Sequence, residues 1–308
     1  MHDLIIIGGG PAALAAAMFG LGKQINLLMI YESPGGKTGS HQRLVGQIGD
    51  EHLAGEDVVH LFERQVLNSG KTLRDHVTQV MRTEGGFQVV TQQHGVKEAT
   101  AVLIATGATP IQLDVPDSQE FLGWGLGYSA PTHAGLLAGK SVAVIGSSER
   151  ALRGVLEVAQ TANTVYVIPL DAAALETPLG TAVAQQPNVS VFPDCEVTEI
   201  NGGFNVEELV ICHGSETRRL AVDAAFIDLG LVANSQCVRG LLRTDDNGFI
   251  RIDDRCATEI PGVFAAGDVT TEFGEMKLIA IGDGARAALS AYEYVLLQRA
   301  PATVGAAN

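Results

Sequence analysis

Four consecutive aliphatic residues, Leu4-Ile5-Ile6-Ile7, run directly into Gly8-Gly9-Gly10-Pro11-Ala12-Ala13 and then into an alanine-rich stretch ending near Leu21. An unbroken apolar run of this kind suits a strand buried on both faces, and the segment after the glycines reads as a helix. A second apolar run over 25–30 ends at Tyr31-Glu32. The spacing Gly8-x-Gly10-x-x-Ala13 has a mechanical meaning. The first glycine makes the turn, the second lets the backbone approach a diphosphate on the helix N-terminus, and the small third residue lets helix and strand pack closely. Glu32 stands at the end of the second strand, where a carboxylate accepts from ribose hydroxyls. The unit therefore predicts a dinucleotide site. Its plain alternative is a glycine-rich turn.

A related unit recurs. Val142-Ala143-Val144-Ile145 leads into Gly146-Ser147-Ser148-Glu149-Arg150-Ala151, then a helical stretch to about Ala162, then the strand-like Thr164-Val165-Tyr166-Val167-Ile168. Two such units predict an α/β chain with two Rossmann-like nucleotide-binding folds in tandem. Between them, 77–79 and 86–91 look like antiparallel strands, and 102–108 is a buried strand ending on a small-residue turn. Gly262-Val263-Phe264-Ala265-Ala266-Gly267-Asp268 repeats that strand-to-glycine pattern, 282–297 reads as a closing helix, and the tail after Ala300 is expected to fray.

Composition narrows the function classes. At 308 residues there is material for about two domains, and 46% hydrophobic residues exclude a disordered chain. The net charge of −15 is repelled by phosphate backbones and anionic lipid, so neither nucleic acid nor a membrane is expected as a partner. No apolar run reaches the ~18 residues of a membrane span, and no basic leader precedes Leu4, so no signal peptide is expected. The four cysteines, Cys195, Cys212, Cys237 and Cys256, form no CxxC pair and no zinc spacing. Reduced thiols and a cytoplasmic location are the expectation.

The chain resembles the low-molecular-weight thioredoxin reductases and their relatives. The resemblance rests on Gly8-Gly9-Gly10-Pro11-Ala12, Gly35-Gly36, Ala105-Thr106-Gly107-Ala108, the run Ile260-Pro261-Gly262 through Asp268-Val269, and Gly282-Asp283-Gly284-Ala285. It covers nearly the whole chain. It implies a three-layer (β/β/α-type) FAD-binding domain formed by 1–112 and 233–308, an inserted NAD(P)-binding-like domain at 115–231, and a homodimer. It also implies FAD contacts from Gly8, Gly10, Pro11, Ala12, Ala13 and Glu32, from Gly36, Lys37 and Val77, and from Ala105, Thr106 and Gly107. On the C-terminal side it implies Gly267, Asp268, Lys277 and Leu278. Asp268 would set its carboxylate on the ribityl chain; its plain alternative is a turn or cap aspartate.

The departures are more informative than the match. Relatives carry a CxxC redox disulfide just before the strand of the inserted domain, where this chain reads Gly127-Tyr128-Ser129-Ala130-Pro131-Thr132-His133-Ala134-Gly135. Electron transfer from flavin to an adjacent disulfide needs two sulfurs a bond length apart. At the inserted domain's nucleotide turn, the second glycine is Ser148, and the basic cluster that holds the 2′-phosphate of NADPH is replaced by Ile168-Pro169-Leu170-Asp171-Ala172-Ala173-Ala174. Several charge-assisted contacts worth ~1.5–3 kcal/mol each are missing together. NADPH is expected to bind poorly or not at all; NADH is less clearly excluded. Gly146, Ser147, Ser148 and Arg150, with Arg153 nearby, mark a site open to a second flavin nucleotide; the plain alternative for the two arginines is a solvated helix face.

At the flavin, Glu275-Met276-Lys277 stands where relatives carry Arg-Gln-Ala, Lys37 replaces a customary glutamine, and Gly46-Gln47-Ile48-Gly49-Asp50 lacks the Asn and Pro that relatives place against the ring. Lys277 would bring a cation to the anion formed on two-electron reduction. His133, in the segment of the lost disulfide, is a second catalytic candidate as a proton relay; its plain alternative is an exposed loop histidine. Tyr128 or Trp124 could stack on a flavin face, and Cys195 and Cys212 could meet across strands. The expectation is an FAD-dependent oxidoreductase without the disulfide and independent of NADPH, its electrons carried by a protein electron carrier, a second flavin or a small molecule. Two alternatives stay open: a disulfide or thiol oxidoreductase with a second flavin in the inserted domain, and a flavin-binding sensor or scaffold without turnover.

Overall fold

A computed structural model describes residues 1–39, 44, 56–116 and 118–300 of the chain. They divide into two compact units, one built from the described parts of 1–39, 54–109 and 232–308, the other chiefly from 110–231.

The first unit opens with β1 (His2–Ile7), α1 (Pro11–Gly22) and β2 (Leu27–Tyr31), followed by α2 (Glu56–Leu67), β3 (Thr72–Arg74), β4 (Val77–Thr83), β5 (Gly86–Thr91) and β6 (Gly95–Ile104). β7 (Ala108–Pro110) leads out of it. The second unit holds β8 (Leu126–Gly127), α3 (Ala130–His133), β9 (Ser141–Ile145), α4 (Glu149–Val158), β10 (Thr164–Ile168), α5 (Pro178–Ala184) and β11 (Val189–Val191), then β12 (Glu196–Gly202), β13 (Val206–His213), β14 (Glu216–Ala221) and β15 (Ala224–Ile227). β16 (Leu231–Ala233) leads back, and β17 (Val263–Ala265) and α6 (Lys277–Arg299) complete the first unit.

In the first unit β3, β2, β1, β6 and β17 form a parallel sheet, and β4, β5 and the first half of β6 form an antiparallel meander. The period-2 alternation of β1 sorts its side chains. Leu4 and Ile6 pack under α1 and α6 against Ala13, Ala16, Ala287 and Ala291, while Ile5 and Ile7 face the meander at Val80 and Val89. Alanine and glycine dominate the helical layer because α1 and α6 lie very close: a Cβ at Gly284 of α6 would stand 2.0 Å from the carbonyl oxygen of Ala12. The second unit repeats the plan. Its parallel sheet, ordered β11-β10-β9-β15-β8, carries Val142 and Val144 toward α4 and Ala143 and Ile145 toward the antiparallel β12-β13-β14.

The strand expected over 77–79 runs on to Thr83 and pairs antiparallel with β5. Two other differences affect the site. The closing helix starts at Lys277, five residues before the expected 282, because 277–281 contains no helix breaker even though no side chain caps it. The segment expected as a loop around His133 is the short helix α3, started by Pro131 in its first turn, where a missing N–H costs nothing. The tail after Ala300 and the stretch 46–50 lie outside the described residues.

Candidate dinucleotide site

The glycines at the end of β1 are held by two different constraints. Gly8 has φ +129°, and a Cβ there would stand 2.1 Å from the carbonyl oxygen of Ala105, so the protein's own backbone forbids a side chain. Gly10, the residue before α1, has nothing among the described residues within 4 Å of its Cβ position. No described neighbour requires glycine there; the space it leaves suits the close approach of a ligand. Gly36, with φ +57°, lies against Gly10: its Cβ would be 2.9 Å from the Gly10 Cα. The N-terminus of α1 has no capping side chain and no acidic residue in its first turn. The partial positive charge of such a helix end suits an outside anion. Pro11 takes the first helical position, and Ala12 and Ala13 are buried behind it.

Around this cradle the remaining groups are arranged by contacts far apart in sequence. Lys37 Nζ lies 2.6 Å from Asp268 Oδ2, and Gly267, just before it, sits with φ +71° between Ala12 and Ala280. Asp268 is thus tied to a lysine rather than serving as a helix cap. Glu32, exposed at the end of β2, pairs at 2.9 Å with His76 Nδ1, and Arg74 Nε donates to the Glu32 carbonyl at 3.0 Å. Thr106 donates its hydroxyl to the carbonyl oxygen of Asn234 at 2.6 Å, and the Asn234 amide returns a bond to the Thr106 carbonyl at 3.1 Å. That fixes the Ala105-Thr106-Gly107 turn. Val77 is buried at the start of β4, and Leu278 is exposed in the first turn of α6. Lys37, His76 and Asn234 acquire their partners only in the folded chain. His76 and Asn234 carry no sequence motif that would have marked them.

The corresponding turn of the second unit is built differently. Gly146 matches Gly8: φ +137°, with a Cβ position 2.0 Å from the carbonyl oxygen of Asp228. Beyond it the likeness ends. Ser148 caps α4, accepting the Ala151 N–H at 3.1 Å while its hydroxyl donates to Asp228 Oδ1 at 3.3 Å. Ser147 accepts the backbone N–H of Asp171 at 3.2 Å. Arg150 makes a forked pair with the fully buried Asp228 carboxylate, Nη2 at 2.6 Å from Oδ1 and Nε at 3.0 Å from both oxygens. Glu149 adds an acidic group to the first turn. The positive helix end and the arginine are both answered from within the protein.

A family model described as "Pyridine nucleotide-disulphide oxidoreductase" matches residues 2–293. The chain belongs to this family. It is 32% identical over 320 residues to the F subunit of an alkyl hydroperoxide reductase from Pseudomonas putida, covering 97% of this chain and 59% of that protein. It is 27% identical to an NADH dehydrogenase of Bacillus subtilis, with 96% and 58% covered. The chain therefore spans less than two thirds of these curated relatives. Among solved structures, thioredoxin reductase from Streptococcus pyogenes matches with a TM-score of 0.83 at 26% identity, covering 96% of this chain and 99% of that one. The Rossmann-like, thioredoxin reductase fold is confirmed. Members of the family normally bind FAD, and the open Gly10 cradle on an uncapped helix fits such a dinucleotide.

His133 is buried on α3, its Nδ1 3.1 Å from the Ser129 carbonyl oxygen and its ring stacked on Phe226 at 5.7 Å between centroids. It is a core residue of the second unit rather than an exposed loop histidine. Trp124 meets Phe204 edge-on at 4.2 Å, and Tyr128 packs into the second unit's core. All four cysteines are free, including Cys195 and Cys212. Burial pushes the thiols of Cys237 and Cys256 up to about 11 and raises that of Cys195, so none of these three is poised as a thiolate.

Proposed function

We propose that the protein is an FAD-dependent oxidoreductase whose first unit holds the cofactor and whose second unit has lost its grip on NADPH. The observation that carries this reading is the contrast between the two turns. At Gly10 there is space among the described residues and a helix end without a capping side chain or first-turn acid; at Ser148 the helix end, the serine hydroxyls and Arg150 are all engaged internally. Asp171, where a 2′-phosphate needs a cation, repels one.

When bound, FAD supplies two-electron redox chemistry. The chain's own residues do the holding: the α1 N-terminus takes a diphosphate, Glu32 takes ribose hydroxyls, and Asp268 offers its carboxylate from the Gly267 turn. Lys37, 2.6 Å from Asp268 Oδ2, orients that carboxylate. The absence of CxxC and the raised thiols favour electron exchange with a protein carrier or small molecule over a built-in disulfide. A homodimer and a cytoplasmic location belong to the same proposal; among the described residues no helix is long and apolar enough to cross a membrane.

The test is anaerobic titration of the purified flavoprotein with NADPH and with NADH. One FAD per chain that NADPH does not bleach is the expected result. Rapid bleaching by NADPH would overturn the lost-grip reading, and two flavins per chain would move a nucleotide into the second unit.

A further inference from the structure

Among the described residues, two buried side-chain nitrogens have no hydrogen-bond partner: His2 Nδ1 and Lys277 Nζ. They are not equivalent. A neutral imidazole can leave its acceptor nitrogen unpaired at modest cost, whereas an ammonium carries a full charge and three donors. Lys277 is also the first residue of α6, whose N-terminus has no capping side chain and no acidic residue in its first turn. A cation there suffers twice, from desolvation and from the positive end of the helix. Glu56 of α2 attracts it through space without hydrogen-bonding it, and burial holds its pKa below the usual lysine value. Lys37 gives the contrast, because Asp268 answers it at 2.6 Å. With Glu56 near but not hydrogen-bonded to it, and no hydrogen-bond partner among the described residues, Lys277 is arranged for a negative group from outside.

Its place relative to the cradle follows from the helix packing. Gly284 of α6 touches Ala12 in the first turn of α1, and Lys277 lies seven residues earlier, about 10 Å along the helix axis. Gly267 packs between Ala12 and Ala280, so the Asp268 segment bridges the two helix starts. A ligand with a diphosphate at α1 and a second, electron-rich end about that far away would meet both unanswered positive sites.

We propose that Lys277 is the charge partner of the reduced flavin, favouring the ring's anionic form over its neutral oxidised form. This rests on the FAD reading above. The lysine interacts with both redox states of the ring, but more strongly with the charged one. The difference raises the flavin's reduction potential. A purely structural lysine would show no such preference.

The experiment uses the FAD-loaded protein and sulfite as probe. Sulfite adds its sulfur lone pair to N5 of the oxidised ring, and the displaced π electrons end as negative charge on the N1–C2 carbonyl region, with no other reactant needed. In Lys277→Met the sulfite Kd is expected to rise ~10- to 100-fold and the flavin potential to fall; Lys277→Arg restores most of both. The flavin-free Lys277→Met protein is expected to melt about 2 °C or more above wild type, since an unpaired buried charge has gone. Unchanged sulfite affinity and potential in a Lys277→Met protein that still holds one FAD overturn this inference alone. Failure of the wild-type protein to bind FAD overturns the reading beneath it.

Discussion

The two units start from one plan and end with opposite surfaces. Gly8 and Gly146 take the same positive-φ backbone conformation against the same kind of neighbour, a carbonyl oxygen about 2 Å from where a Cβ would be. The residues just after them decide the chemistry. In the first unit these are glycine, proline and alanine, which expose backbone N–H groups and add no competing acceptor. In the second they are Ser147, Ser148, Glu149 and Arg150, and the buried Asp228 carboxylate binds the arginine and one hydroxyl. The strand-turn-helix geometry survives without the anion site, because the turn is enforced by backbone sterics and the site by side-chain absences. These are separable.

Substitutions at the shared glycines should have the largest effect and should not distinguish the units. Gly8→Val or Gly146→Val puts a branched side chain onto a backbone carbonyl, and either variant is expected to be recovered unfolded or insoluble, read by circular dichroism. A soluble, native-like Gly146→Val protein would break the equivalence at the outset. Next comes Asp228→Ala, which leaves Arg150 half-buried with its main counter-ion gone and is expected to cost about 3–5 kcal/mol in urea unfolding. No matching loss is expected from Asp268→Ala in the flavin-free protein, where the Lys37 pair is partly solvent-exposed. Ser148→Ala removes the α4 cap and should cost about 1 kcal/mol, with no gain in NADPH binding because the Arg150–Asp228 pair stays. The smallest effect is on thiol chemistry. With pKa values of about 11, Cys237 and Cys256 present about a thousandth of their thiol as thiolate at pH 8, and alkylation should wait for unfolding. Because the shift is upward, reactivity grows only as pH rises toward 11. Fast labelling of either in the native state would reopen a thiol mechanism.

Much of this contrast is written locally and is legible in the sequence. The aliphatic run before Gly8, the spacing to Ala13 and Glu32, and the serine at 148 are all short-range signals that sterics convert directly into a turn and a helix end. The boundaries and the pairings are not. α6 begins at Lys277 without any capping residue to announce it, so the periodic stretch after Gly282 is the first visible sign of the helix. Pro131, a loop signal when read alone, starts α3 and carries His133 into the core. The partners of Asp268, Arg150 and Glu32 come from other parts of the chain, and no motif records which lysine, aspartate or histidine will arrive beside them. That Lys277 has no hydrogen-bond partner among the described residues is likewise a property of the folded molecule alone.

The central claim is that the space beside Gly10 is kept for a ligand, whereas the matching helix end at Ser148 is taken up by the protein's own side chains. Gly10 has an ordinary φ of −80° and no described neighbour to clash with, so Gly10→Val should change unfolding free energy by no more than about 0.5 kcal/mol. The decisive measurement is flavin per chain in purified Gly10→Val beside wild type. The account predicts one FAD per wild-type chain and essentially none in a well-folded variant; a variant that keeps its flavin, or a wild-type chain carrying two, contradicts it.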